Sequence, residues 1–150
     1  MRRRQPTESA SALMLVPAGV LILLILGAIA VDSSLAFMAQ RELHNAAIGA
    51  VNDAVTVSIG DEALQRGTEA RPNGQRASAL VHDRLDGLRI GRMTVLAGDV
   101  QVVTDEEAKT VTVRVEGDMP YLFAPAVPGS RRSAHVVAQT AAQLQFRAPQ

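Results

Sequence analysis

"LILLILGAIAVDSSLAFMAQRELHNAAIGAV", Leu21–Val51, changes solvent at Asp32 without changing its helical rhythm. Upstream, Ser9 to Val31 is a run of 23 residues without a charge, bounded by Glu8 and Asp32. As a helix it is roughly 34 Å long, enough for a hydrocarbon core of about 30 Å. Twelve of its positions are Leu, Ile or Val, and at about −0.5 kcal/mol each they contribute on the order of −6 kcal/mol toward insertion. Arg2, Arg3 and Arg4 precede the run, and positive residues stay on the cytoplasmic side. The expectation is a cytoplasmic stretch at 1–8, a transmembrane helix at 9–31 and an extracytoplasmic domain at 32–150, with the lipid bilayer as first partner. Pro17 removes one backbone donor inside the span, a substitution that membrane helices tolerate. Gly19 and Gly27 would allow a close approach by a second helix, although they are not at GxxxG spacing.

A cleavable secretory signal has the same polarity, and Ala28-Ile29-Ala30 has the small-x-small form of a cut site. Cleavage after Ala30 would release a secreted ligand-binding domain, with Tyr121 and Phe123 at its ligand surface. The continuation of the helical pattern past Asp32 favours retention.

Downstream of Asp32, Leu35, Met38, Leu43, Ala46, Ala47, Ala50, Val51 and Ala54 keep a 3.6-residue rhythm opposite Arg41, Asn45 and Asn52. This predicts an amphipathic helix to about Ser58, before the Gly60-Asp61 break. Its stripe is mostly alanine, so close packing rather than large area burial holds it. Joined to the span, it makes a rod from Ala10 to Ser58 on the order of 70 Å long, half in lipid and half outside.

The remainder is smaller in scale. "RGTEARPNGQR", Arg66–Arg76, reads as a loop, and Ala77, Leu80, Val81, Leu85 and Leu88 as the apolar face of a short helix ended by Gly87 or Gly91. The period then drops to 2. "VQVVT" (Val100–Thr104) and "TVTVRVE" (Thr110–Glu116) predict a hairpin about the acidic linker Asp105-Glu106-Glu107, and "MTVL" (Met93–Leu96) predicts a third strand. "PYLFAPAVPG" (Pro120–Gly129) is a proline-limited crossing segment that exposes or half-buries Tyr121 and Phe123. Residues 133–146 fit both periods, and the need of a small sheet for another strand favours β. The fold class is α+β: an N-terminal membrane helix running into a long amphipathic helix, then a short helix and a small antiparallel sheet.

Composition narrows the chemistry. The chain has no cysteine, which excludes disulfides, thiolate catalysis and cysteine metal sites. Aromatic residues make up 3% of it and Trp is absent, so the core must be built from Ala, Val and Leu, and such a thin core seeks support from a membrane or from partners. Net charge is zero and no basic stripe indicates a nucleic-acid partner. His44, His82 and His135 are far apart and form no HxH or HExxH pair; His82, Asp83 and Arg84 read as an exposed helix side. No nucleophile motif, Walker loop or dinucleotide fingerprint is present. Asp105, Glu106 and Glu107 lack EF-hand spacing and read as a solvated turn. No enzyme activity, cofactor or metal is expected. Asp32 either marks the membrane boundary or pairs there with Arg41 or a neighbouring subunit's amine.

The order of features resembles the TadE/TadG-like proteins of Flp pilus assembly, the tight-adherence system, in the form found in high-GC Gram-positive bacteria. The residues that carry the resemblance are the short basic start, the apolar run closing in "GAIAVD" (Gly27–Asp32) and "AQRELHNAA" (Ala39–Ala47). About 40 residues are involved; the C-terminal half is similar only in outline. The resemblance implies a pilin-like or pseudopilin-like subunit or assembly factor, held by its N-terminal helix and acting with other pilus or secretion-system subunits or with copies of itself. Prepilin processing in that family needs Gly or Ala before the cut and Glu at the fifth position after it. Here Glu8 would place Arg3 before the cut, which favours the unprocessed, anchored TadG-type form.

Overall fold

A computed structural model describes residues 8–58 and 73–144, with side chains from Leu15. Its dominant element is α1 (Glu8–Ser58), one helix of 51 residues that contains Pro17 without being interrupted by it. The predicted rod is therefore continuous, about 75 Å long at 1.5 Å per residue. The predicted break at Gly60-Asp61 lies outside the described residues, as do most of the Arg66–Arg76 loop and residues 1–7.

The two halves of α1 have different surroundings. Leu21, Leu23, Leu24 and Leu26 are all more than half exposed, as a helix surface in contact with lipid would be. One helix near the N-terminus is thus long and apolar enough to cross a membrane. The second half is covered by the rest of the chain along Ala39, Leu43, Ala47, Ala50, Val51, Ala54 and Val55. The buried stripe is rotated from the predicted one at its start. Met38 is 63% exposed and Ala39 occupies the core position instead. A helix this close to a sheet admits alanine at its nearest points, and the larger Met38 and Phe37 are turned outward.

α2 (Gly74–Leu85) packs beside α1 through Ala77, Val81 and Leu85. Asn73 caps it, its side-chain oxygen accepting the Arg76 N–H at 3.1 Å. Gly74, Gln75 and Arg76 therefore belong to the helix rather than to the predicted loop. The chain leaves α2 through Gly87, whose φ of 73° suits a residue without Cβ. His82 is half-buried, while Asp83 and Arg84 are exposed; Arg84 reaches Asp53 of α1 at 3.0 Å.

"MTVL" does not join the main sheet. β1 (Arg89–Ile90) and β2 (Met93–Thr94) form a separate two-stranded hairpin, paired Ile90 to Met93 across Gly91-Arg92. Gly91 supplies the positive φ, 56°, that a two-residue hairpin loop needs. Met93 points at β4, where a Cβ on Gly117 would lie 2.6 Å from its sulfur. A glycine is needed there because the hairpin packs directly onto the strand.

The main sheet is an antiparallel meander of β3 (Val100–Asp105), β4 (Thr110–Pro120) and β5 (Ser133–Gln143), in that order. The ambiguous C-terminal stretch is thus a strand, pairing with β4 from Thr110↔Gln143 to Pro120↔Ser133. Val111, Val113, Val115, Gly117 and Met119 face the helices, while Arg114 and Asp118 face outward. Between β3 and β4, Asp105 Oδ1 accepts the N–H groups of Glu107 and Ala108 at 3.0 and 2.9 Å, and Lys109 takes the left-handed conformation. The acidic linker is the solvated turn that its sequence predicts. With both helices on one face of the sheet, the architecture is α+β.

On the open face, Glu116 receives Arg114 Nε and Nη2 at 2.7 and 2.6 Å, and His135 lies 3.3 Å from Glu116 and 3.2 Å from Asp118. The Arg114 hydrogen bond holds the Glu116 carboxyl below its ordinary 4.5, against the upward push of desolvation and with added help from the Arg114 and His135 charges. A lowered native value makes this cluster's contribution complete above the ordinary value and lost as pH falls through the native one. Melting temperature followed down the acid range should therefore decline less steeply in Glu116→Gln than in the parent. At high salt the two profiles should converge, because the pair is exposed.

Candidate functional site

The structure gives Asp32 a partner that its sequence position does not reveal. Asp32 is 5% exposed, the one buried polar or charged residue among those described. The Leu122 N–H donates to its Oδ1 at 2.7 Å, and the Ala124 N–H to its Oδ2 at 2.8 Å. The Phe123 N–H is shared between the two oxygens at 3.2 and 3.1 Å. The carboxylate thus caps three successive backbone donors that open the 3-10 turn Ala124–Ala126. Both oxygens act as acceptors, which suits the ionised acid. Pairing with Arg41 is not what occupies Asp32, since Arg41 lies nine positions further along α1, about 13 Å at helical rise.

The result is a loop lashed to the long apolar helix. Phe123, Ala124, Ala126, Val127 and Ser130 flank a cleft of about 430 Å³ whose other wall is Leu24, Ile25, Ala28, Ile29 and Asp32. Tyr121 and Arg131 sit beside Ile29, Asp32 and Ser33 at the mouth of a second recess. Tyr121 is half-buried and Phe123 exposed, as "PYLFAPAVPG" predicts. Asp32 has no polar neighbour within a helical turn on its buried side that could take its place, because its own helix there is Ala28, Ile29 and Leu35.

The other sequence-derived residues are scattered. Pro17, Gly19 and Gly27 lie on the bare apolar half of α1, and a Cβ at either glycine would meet nothing within 4 Å. Their surface is open to a second helix. Arg41, Asn45 and Asn52 are exposed on the covered half. Arg41 lines, with Phe37, Gln40 and His44, a groove against Val137–Gln139 of β5; the Asn52 carbonyl accepts the Thr56 hydroxyl at 2.9 Å. Among the described residues, no His, Cys, Asp and Glu group has an arrangement that could hold a metal ion.

Sequence reading did not join Asp32 to Leu122–Ala124, 90 to 92 positions away. The available signal was a pair: an acid that ends a membrane-length apolar run, and an apolar, proline-spaced loop followed by Arg131-Arg132.

Asp32→Ala should free this loop while leaving the sheet intact. Amide exchange at Leu122, Phe123 and Ala124 is expected to accelerate by about tenfold or more, as loss of charge-assisted hydrogen bonds does, with Val113 and Val115 unchanged. Asp32→Asn should separate the two oxygens: one side remains an acceptor, while the other becomes an amide donor facing a donor.

No family model, curated protein or solved structure matches the chain.

Proposed function

We propose that the protein is a membrane-anchored, pilin-like subunit or assembly factor of a Flp or tight-adherence type pilus or a related secretion system. In this reading its N-terminus is cytoplasmic and its C-terminal domain extracytoplasmic. The observation that carries it is α1: one helix, bare and apolar in its first half and covered by the sheet and α2 in its second. A helix of this form can hold a small domain at a membrane and present a side to neighbouring helices. The resemblance in Gly27–Asp32 and Ala39–Ala47 supports the pilus context, and Gly19 and Gly27 on the open surface suit close packing. The protein acts by assembly rather than catalysis.

Mass spectrometry of the mature N-terminus tests the anchor. The expected species from membranes retains Leu21–Ala30, and the chain resists extraction by alkaline carbonate. A soluble species beginning at Val31 would instead establish the secreted ligand-binding domain. Such a cut would leave Asp32 at the second position of a frayed helix and remove the Leu24–Ile29 wall beside Phe123 and Val127. Crosslinking from Gly19 or Gly27 positions in native membranes, with identification of the captured chain, tests the pilus context separately.

A further inference from the structure

We infer that the Tyr121–Gly129 loop is a second membrane contact, seated in the outer leaflet beside α1 with a lipid acyl chain in the cleft between them. The inference rests on the reading of α1 as a membrane span and goes beyond it. The loop descends along α1 toward the N-terminus. Its base, at Tyr121 and Arg131, lines a recess with Ile29–Ser33, and Phe123, Ala126 and Val127 line a cleft whose α1 wall runs from Asp32 to Leu24. From Asp32 to Leu24 is eight residues, about 12 Å along the helix. If Asp32 stands at the headgroups, the cleft between loop and helix spans the depth to which interfacial elements bury apolar side chains, about 5–10 Å into the headgroup and acyl boundary.

Two independent features fit that depth. The first is the tip's surface: Phe123 and Val127 are 44% and 55% exposed, and they look into the apolar cleft rather than into the sheet core. Tyr121 and the Arg131-Arg132 pair stand at the base, where an amphipathic ring and cations meet headgroups and phosphates.

The second is the backbone. Backbone N–H groups brought near hydrocarbon must find acceptors within the protein. The Tyr121 N–H donates to the Arg132 carbonyl at 2.9 Å, and the next three go to Asp32. The Ala126, Val127 and Ser130 N–H groups donate to the carbonyls of Phe123, Ala124 and Val127. Pro125 and Pro128 have no N–H to satisfy, and the Ser130 hydroxyl donates to the Ala124 carbonyl. Among these residues only the Gly129 N–H is left without such an acceptor. Asp32 thereby acquires a reason for its place: it takes the three donors that water would otherwise have to solvate.

Because the chain has no cysteine, single cysteines can be labelled without background. Val127→Cys, Leu24→Cys and Val103→Cys in the full chain would each carry an environment-sensitive fluorophore. The proteins are then placed in phosphatidylcholine–phosphatidylglycerol vesicles, with iodide in the water or nitroxides on the acyl chains as quenchers. The expected result is blue-shifted emission at Val127, quenched by shallow acyl-chain nitroxides with most of its iodide quenching lost, as at Leu24. Val103, on the sheet's open face, should be quenched by iodide alone. Iodide quenching at Val127 with lipid quenching at Leu24 overturns the loop contact and leaves the span standing; iodide quenching at both overturns the span. Protection of Val127 from both quenchers overturns lipid as the occupant and indicates a second copy of the chain.

Discussion

Leu23→Arg combined with Leu24→Arg should detach the protein from the membrane. Each arginine near the centre of a span costs about 3 kcal/mol and forfeits about 0.5 kcal/mol of leucine insertion. The pair therefore removes about 7 kcal/mol from a segment whose aliphatic residues supply on the order of 6 kcal/mol. Both leucines are exposed, at 70% and 66%, and neither belongs to the buried core, so the double variant leaves the helix–sheet packing intact. The measurement is partition between membrane and soluble fractions, with far-UV circular dichroism to confirm that the sheet persists. A control at the far end of α1, Asn52→Arg on the exposed side, should remain in the membrane fraction. A double variant that still resists carbonate extraction would mean that something other than this helix holds the chain.

The second large effect is expected at Leu43→Ala. Leu43 is fully buried and heads the largest side chains of a core otherwise made of valine, alanine and a few longer residues. Truncating it removes apolar area from the core that α1 shares with the rest of the domain, and the Ala39 and Ala47 positions on either side have no bulk with which to refill the space. Such substitutions cost about 2–5 kcal/mol, against a total stability of about 5–15 kcal/mol for a domain. Thermal unfolding in detergent should shift down by at least about 10 °C. Met38→Ala, which a stripe centred on Met38 would make equally damaging, should change stability by no more than about 0.5 kcal/mol, because Met38 faces out. The contrast between the two reports the rotation of the helix directly.

That rotation shows how far sequence could go. The existence of α1 and its continuity through Asp32 follow from the apolar run and from the 3.6-residue spacing beyond it, both of which are local properties. The β3–β4 hairpin follows in the same way from alternating valines on either side of an acidic turn. Phase was less accessible. A stripe with alanine at half of its positions weakly distinguishes one orientation from the next, so the neighbouring sheet decides it. "MTVL" was a fair strand by composition, yet its strand residues, Met93 and Thr94, pair in a separate two-stranded hairpin instead of the main sheet, and Met93 fills the space that Gly117 leaves.

The candidate site divides along the same line. The chain itself contains an acid at the edge of a membrane-length helix, a loop rich in apolar residues and prolines, and two arginines beyond it. Each is legible because its physical meaning is local: charge stops a span, proline removes donors and breaks regular structure, and arginine prefers the headgroup side. What joins them is the path of β4, whose pairing with β3 and β5 carries Leu122–Ala124 back to the helix at Asp32. The sequence by itself determined which parts could lie in lipid and which could form helix or strand. Only the tertiary structure decided that the boundary acid faces inward, since a carboxylate takes whichever donors the returning chain brings to it.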